Sequence, residues 1–441
     1  LIQSRFKHDK FRIKEKLSKK DKKLPEKPQV RISKNNILPW AVFVPTIIIV
    51  LLSLSSVVFP ALLTRSSSPF QGVLITPEFL DPFQPGILAI PFVAINVILL
   101  GIGIAYRKKK ECKYRPMVSR FANFEVSRKQ AIIGIIILVA IFSAITAGTL
   151  AKEETWVDYQ AVKSRVQTWT ISDFTHSFEP HLRYLLLSAS LHIFGNIRVI
   201  PFLTSIALLL LTYLFTKEIT QKRFAGLVSM AVLLQSQIFV EYSTSASYDN
   251  SWILLYLFGL YLVQKFWPPS PVSFILSIFS KALTIAFLPM TLYFIARSTL
   301  SKRSKIISLV TYAIIIIALV MGASALKTSL TEPSTFSEMS QFWQGFAAMS
   351  MQMRFDYITI LFILPLTVML FFASRKGVLH ADSILIFILS ILLTSPLLTT
   401  FTEQTNQPYR FVSLSVFFAV GVGVLLSKRT RKQDELLSNT R

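Results

Sequence analysis

Residues 130–158 read QAIIGIIILVAIFSAITAGTLAKEETWVD. The part 130–150 carries no charge and, at about 1.5 Å per residue in a helix, is long enough to cross roughly 30 Å of hydrocarbon. It stops in a polar loop, and the acid Asp158 lies just past its end. A second acid, Asp249, has the same kind of position, between the apolar runs 224–242 and 251–266. Isolated carboxylates at the mouth of a helical bundle are costly to desolvate, so their presence there points to function.

Outward from 130–150 the pattern repeats. Apolar runs at 38–60, 87–106, 198–216, 224–242, 251–266, 306–326, 357–374, 382–400 and 410–427 have the character of spans. One more stretch, 272–297, has Pro271 before it and Lys281 and Pro289 inside it. The chain is 52% hydrophobic with a mean hydropathy of +0.53. This predicts an all-α, polytopic membrane bundle, because a helix satisfies its own backbone in lipid and no segment alternates with the period of a barrel strand. Tyr184–Phe194 is apolar but too short to cross, which predicts an interfacial or half-inserted helix belonging to the loop 151–197. Trp156, Tyr159, Trp169 and Phe174 in that loop suit helices lying at headgroup level, as do Phe342, Trp343, Phe346, Met349, Met351 and Met353 in the loop 327–356.

Charge sets the orientation. The net charge of +24 is not spread as on a nucleic-acid binder: of 47 Lys and Arg, 13 lie in 1–36 and 9 in 107–129, flanking spans. With a cytoplasmic N-terminus, the loops 61–86, 151–197 and Glu241–Asn250 fall outside, while 107–129 and Thr216–Arg223 fall inside. A single crossing by 272–297 would strand Arg297–Lys305 and the C-terminal KRTRK outside. A hairpin broken near Lys281 returns both to the cytoplasm and leaves 37 of the 47 cations inside. The expectation is therefore about twelve passes of a plasma-membrane protein, with both ends cytoplasmic and interfacial helices in the outer loops. Its parts are a basic tail 1–36, two leading spans with a basic loop 37–129, a core 130–427 and a basic tail 428–441. The one cysteine, Cys112, excludes disulfides and cysteine-rich zinc sites. No cleavable signal peptide is expected, since the first apolar run exceeds a signal h-region.

The outer face then collects a short polar inventory. The first loop offers Glu153, Glu154, Asp158, Asp173, His176, Glu179, His181 and Arg183, and the second offers Glu241, Tyr242, Tyr248, Asp249 and Asn250. Lys281 lies at the hairpin tip, and Glu403, Asn406, Tyr409 and Arg410 lie in the last loop. Glu153 and Glu154 read as a solvated helix end. His176, Glu179 and His181 lack HxxxH or HExxH metal spacing. The set holds a general base and phosphate-binding cations, the parts that reactions of lipid-linked phosphosugars require. A carboxylate deprotonates the acceptor as it attacks the anomeric carbon, while Arg or Lys neutralises the departing phosphate.

Four groups of motifs carry a resemblance. TWVDYQAVKSRV (155–166) follows the span at 130–150. EPHLRYLLLSASLHIFGNIRVIPFLTSIALLLLTYLFTKEITQKR (179–223) joins a proline-led loop helix, an FG turn and a span with a basic inner loop. SMAVLLQSQIFVEYSTSASYDNSWILLYLFGLYLV (229–263) is a span pair with an acid in its outer turn, followed by the lysine-broken SFILSIFSKALTIAFLP (273–289). QPYRFVSLSVFFAVGVGVLL (407–426) opens the last span with Tyr–Arg. In this order they resemble the GT-C superfamily of polytopic glycosyltransferases, nearest the dolichyl-phosphate-mannose protein mannosyltransferase and lipid A aminoarabinose transferase branch, over about 300 residues from residue 130.

The resemblance implies a GT-C-type fold and inverting transfer of a sugar from a polyprenyl- or dolichyl-phosphate donor to a protein, lipid or glycan acceptor. It implies Asp158 as the essential acid and base, with Asp249 assisting through a divalent cation, a sugar hydroxyl or orientation of the site. Arg410, with Tyr409 beside it, and Lys281 would hold the donor phosphate, with His181 and Arg183 near the cavity. Many relatives have Asp–Glu at the first site where this chain has Asp158–Tyr159. The spans at 38–60 and 87–106 stand outside the resemblance. Rival readings are a non-catalytic subunit on the same scaffold, and a transporter or flippase, which would put charges at mid-span.

Overall fold

The computed structural model describes residues 37–59, 84–108, 120, 122–156, 158–168, 170, 181–325, 342–343, 345–346, 353, 356–401 and 408–427. Cys112, Trp169, Asp173, Phe174, His176, Glu179, Met349, Met351, Glu403, Asn406 and both basic tails lie outside them. Among the described residues the chain is all helix with no strand.

Two leading helices, α1 (Ile37–Val58) and α2 (Ala89–Lys108), precede α3 (Arg128–Leu150). α3 opens on a capping box: Ser127 Oγ accepts from the Gln130 amide, and the Gln130 side chain accepts from the Ser127 amide. The polar loop carries α4 (Tyr159–Thr168) and α5 (His181–Phe194). These pack on each other through Tyr159, Val162 and Val166 against Tyr184 and Leu187, a small core apart from the main one. The short apolar run thus forms part of a 14-residue helix.

α6 (Val199–Thr220) ends where Gln221 turns left-handed (φ 56°), and α7 (Arg223–Leu234) returns alongside. The expected single span 224–242 does not stay straight. After Leu234 the chain bends by 72° into the short α8 (Gln237–Glu241) and a 3-10 turn, Tyr242–Thr244. The polar pair Gln235–Ser236 causes the break. Ser236 Oγ accepts from the Phe239 amide at 3.3 Å, capping α8, and donates to Asp356 Oδ2 at 2.5 Å. Asp356 is buried, and Ser415 Oγ (3.0 Å) and the Thr359 amide (3.3 Å) also donate to its carboxylate.

α9 (Ser251–Lys265) is followed by the broken pair α10 (Ser270–Ser280) and α11 (Leu288–Arg297), joined by a 3-10 stretch, Ala282–Phe287. Lys281 is extended (φ −155°, ψ 115°) at the break. α10 runs back along α9: Ser270 Oγ donates to Gly259 O and Ser273 Oγ to Leu255 O, and the Ser280 and Ser251 hydroxyls meet at 2.6 Å. α11 returns to the end it started from, since Arg297 pairs with Asp382 while Gln264, at the base of α9, contacts His380 at 3.2 Å. Both ends of the stretch 270–297 thus lie at one end of the bundle and its lysine break at the other.

α12 (Lys302–Ala325), α13 (Tyr357–Arg375), α14 (Ala381–Phe401) and α15 (Val412–Leu425) complete the described helices. α15 is apolar but for Ser413 and Ser415 and is buried almost throughout, the pattern of a central helix. Phe417 of α15 stacks on Phe387 of α14 at 4.3 Å. A side chain at Gly423 would collide with Ser229 and Thr216, so glycine lets α15 approach α6 and α7 closely. The leading helices pack on α13 and α14: Phe43 stacks on Phe371, and Asn96 Nδ2 donates to Leu361 O.

Six described helices are long and apolar enough to cross a membrane, and the bent pair α7–α8 makes a seventh candidate. Ala89–Gly103, α9, α10 and Ala282–Arg297 are apolar but shorter.

Candidate functional site

The inner face of the mouth is built by the loop 245–250, between the 3-10 turn and α9. Two charges, one withdrawn from solvent and one half-buried, hold this loop. Glu154 takes its amides, accepting from Ser245 Oγ (3.0 Å), Ala246 N (2.5 Å) and Ser247 N (3.4 Å). Arg183 takes its carbonyls, donating to Ala246 O (2.9 Å) and Ser247 O. Glu154 is not the solvated helix end its sequence suggests. Its side chain is 2% exposed and lies 3.4 Å from Arg198 Nε, while the neighbouring Glu153 is exposed and pairs with Lys163 at 2.7 Å. Arg198 in turn donates to the carbonyls of Thr149, Lys152 and Thr244, binding the end of α3 to the start of α6. A buried carboxylate satisfied by three donors and a guanidinium is stable only as a complete network.

The loop so held presents Tyr248 and Asp249. Asp249 is buried. Arg183 Nε lies 3.1 Å from its Oδ2, while the Ser251 amide (2.8 Å) and hydroxyl donate to its Oδ1. Its negative charge is therefore matched by one guanidinium, and its Oδ1 is taken up by the start of α9. That donor set does not fit a metal ion, which needs oxygens free of a competing cation. Among the described residues no three of His, Cys, Asp and Glu are grouped to hold one.

Tyr248 joins this acid to the other one. Its hydroxyl donates to Asp158 Oδ2 at 2.5 Å, and its ring stacks on Tyr409 with centroids 4.4 Å apart and planes 12° from parallel. Burial, and then the hydrogen bond to Asp158, push the Tyr248 phenol above its ordinary ionisation range, so it stays a neutral donor. Asp158 is exposed, just ahead of α4. Across the Tyr409 ring stands Lys281, freed from helical geometry by the break. Its Nζ lies 4.3 Å from the ring centroid and donates to the Tyr409 hydroxyl at 3.1 Å. Arg410 reaches the same hydroxyl through Nε at 3.5 Å.

A small cleft is lined by Arg183, Ser247, Tyr248, Asp249, Trp252, Ser280, Lys281 and Tyr409. Of the residues expected at the site, Asp249, Arg183, Lys281 and Tyr409 line it directly, while Asp158 and Arg410 adjoin it through Tyr248 and Tyr409. His181 is buried at the start of α5 and does not line the cleft. Arg183 serves the loop and Asp249 more than open space. Tyr248 stands in the outer-face inventory without a role, and Trp252 is absent from it.

The arrangement offers one exposed carboxylate, one neutralised carboxylate, and two cations gathered about a phenol. The chain matches no protein-family model, and no curated protein or solved structure matches it at a significant level.

Proposed function

We propose that the protein is a membrane glycosyltransferase working at the non-cytoplasmic face. It moves a sugar from a polyprenyl- or dolichyl-phosphate donor to a protein, lipid or glycan acceptor on a GT-C-type scaffold. In this reading the bundle makes twelve passes of the plasma membrane with both termini inside. One observation carries it: residues as far apart as Asp158, Asp249, Lys281 and Arg410 meet at one end of the bundle about the Tyr248–Tyr409 stack, with Asp158 on the Tyr248 hydroxyl and Lys281 and Arg410 on the Tyr409 hydroxyl.

The chemistry follows from that division. The acceptor hydroxyl loses its proton to Asp158 as its oxygen bonds to the anomeric carbon. The bond from that carbon to the donor phosphate breaks on the opposite face, inverting the configuration, and its electron pair leaves on phosphate oxygen. Lys281 and Arg410 stabilise the charge that develops there. Asp249, tied to Arg183, fixes the loop and can accept from a sugar hydroxyl. Against transport stands the placement of charge: every acid among the described residues lies in a loop or at a helix end, none at mid-span.

The test is transfer of labelled sugar from a panel of polyprenyl-phosphate sugars by the purified protein in lipid nanodiscs. Asp158→Asn is expected to cost on the order of 10²-fold or more in rate, with an unchanged unfolding temperature. Full activity in Asp158→Asn removes this assignment, and no transfer from any donor by the wild type leaves the scaffold as a non-catalytic subunit.

A further inference from the structure

Asp158 is the one acid of the site that stands in solvent, yet a base must hold its free oxygen toward the acceptor while the sugar arrives from the cleft. Asp158 does not line that cleft. What lies between them is Tyr248. Its hydroxyl holds Asp158 Oδ2, its ring lies flat on Tyr409, and the loop beneath it is clamped through both amides and carbonyls by Glu154 and Arg183. Trp156, two residues ahead of Asp158, meets the Tyr248 ring edge-on at 5.7 Å, and Tyr242 meets it at 5.9 Å. The ring is therefore fixed on three sides and its one polar atom is given to the carboxylate.

We propose that Tyr248 is the positioning residue that registers the acceptor-side carboxylate Asp158 with the phosphate-side group Lys281–Tyr409, by one hydrogen bond and one ring stack. It acts through Asp158 and transfers no group itself. Holding Oδ2 leaves the other oxygen to take the acceptor proton, and the stack sets its distance from the phosphate end. A ring position loose by about 1 Å is the kind of error that costs a reaction heavily. This inference rests on the glycosyl-transfer reading, and its test separates the two.

Tyr248→Phe keeps the ring and the stack and deletes only the hydroxyl. In nanodiscs with the same polyprenyl-phosphate sugars, it is expected to lower kcat about tenfold while the donor KM stays at the wild-type value. Tyr248→Ala, which also removes the stack, is expected to raise donor KM as well. Adding Tyr248→Phe to Asp158→Asn should cost nothing further, since the hydroxyl acts only through that carboxylate. A second arm needs no donor. In protein labelled with 3-fluorotyrosine, the 19F resonance that disappears in Tyr248→Phe should move in Asp158→Ala and stay in place in Lys163→Ala. Wild-type kcat in Tyr248→Phe beside an inactive Asp158→Asn overturns the positioning role and leaves the transferase reading standing. Activity in Asp158→Asn overturns the transferase reading instead. A Tyr248 resonance indifferent to Asp158→Ala overturns the contact on which the inference is built.

Discussion

The two ends of the bundle use charge differently. At the end that holds Lys222, several charges cap helices or meet one opposite partner, and Arg375 lies over the rings of Trp40 and Phe371. Glu125 caps α7 through the Arg223 and Phe224 amides, and Lys222 Nζ donates to Ala122 O and Leu426 O. Arg297 pairs with Asp382, which Tyr293 also contacts, and Lys265 pairs with Glu218. At the end that holds Asp249, the ion pairs withdrawn from solvent are those of the groups that build the loop, Glu154–Arg198 and Asp249–Arg183, and one further pair, Glu153–Lys163, is exposed. Lys281 instead rests on a phenol, and Asp158 faces solvent with a tyrosine hydroxyl as its partner. The contrast separates charges that assemble the protein from charges arranged to meet something else. Residue type alone would not make that distinction.

The sharpest way to break the comparison is at the first end. Arg297→Ala leaves Asp382, whose side chain is 1% exposed, without its guanidinium, and a broken buried pair costs about 3–5 kcal/mol. Thermal unfolding in detergent should show it, while binding of polyprenyl phosphate by the folded fraction stays as in the wild type. Glu154→Gln should come next, costing about 2–3 kcal/mol because Arg198 stays buried without its counter-charge and one of the two acceptor oxygens becomes an NH2 set against the loop's donors. Hydrogen exchange at residues 245–249 should rise with it. Lys281→Met should shift stability by less than about 1 kcal/mol, as for a half-buried cation with no carboxylate partner among the described residues, yet weaken polyprenyl-phosphate binding tenfold or more. Equal losses of stability in Lys281→Met and Arg297→Ala would erase the distinction.

The smallest effect belongs to the exposed pair Glu153–Lys163. Its hydrogen bond and charge hold the Glu153 carboxyl below the usual carboxylate range, so any stabilisation is present above the ordinary glutamate value and fades as pH falls through the lowered one. Because both groups are solvated, Lys163→Ala should leave the unfolding temperature at neutral pH unchanged.

Much of this was legible in the sequence, for identifiable reasons. Apolar length placed most helix ends within a few residues, because lipid enforces it. The bias of Lys and Arg alone predicted that 272–297 would turn back at Lys281, and the contacts of Ser270 and Arg297 agree. Asp158, Asp249, Lys281, Tyr409 and Arg410 were gathered from loop assignment and resemblance, and they do lie together. What escaped was what depends on distant partners. Glu153 and Glu154 are identical neighbours, and only the helix ends around Arg198, some forty residues on, decide which is buried. The bend at Gln235–Ser236 was read through because three polar residues, Gln235–Gln237, are a short interruption in an otherwise apolar run, while the partner that holds Ser236, Asp356, lies far along the chain. Tyr248 reads as one aromatic among many until its hydroxyl is placed against Asp158.

Asp356 also constrains the order in which the protein can be made. Its carboxylate lies in the interior and takes hydroxyls from α8's cap, Ser236, and from Ser415 of the last described helix. During synthesis Ser236 is in place before Asp356 emerges from the ribosome, but Ser415 arrives some sixty residues later. Until then the acid must be sheltered by water or by the insertion machinery. A nascent chain stopped ahead of α15 should therefore be the form that quality control recognises and degrades.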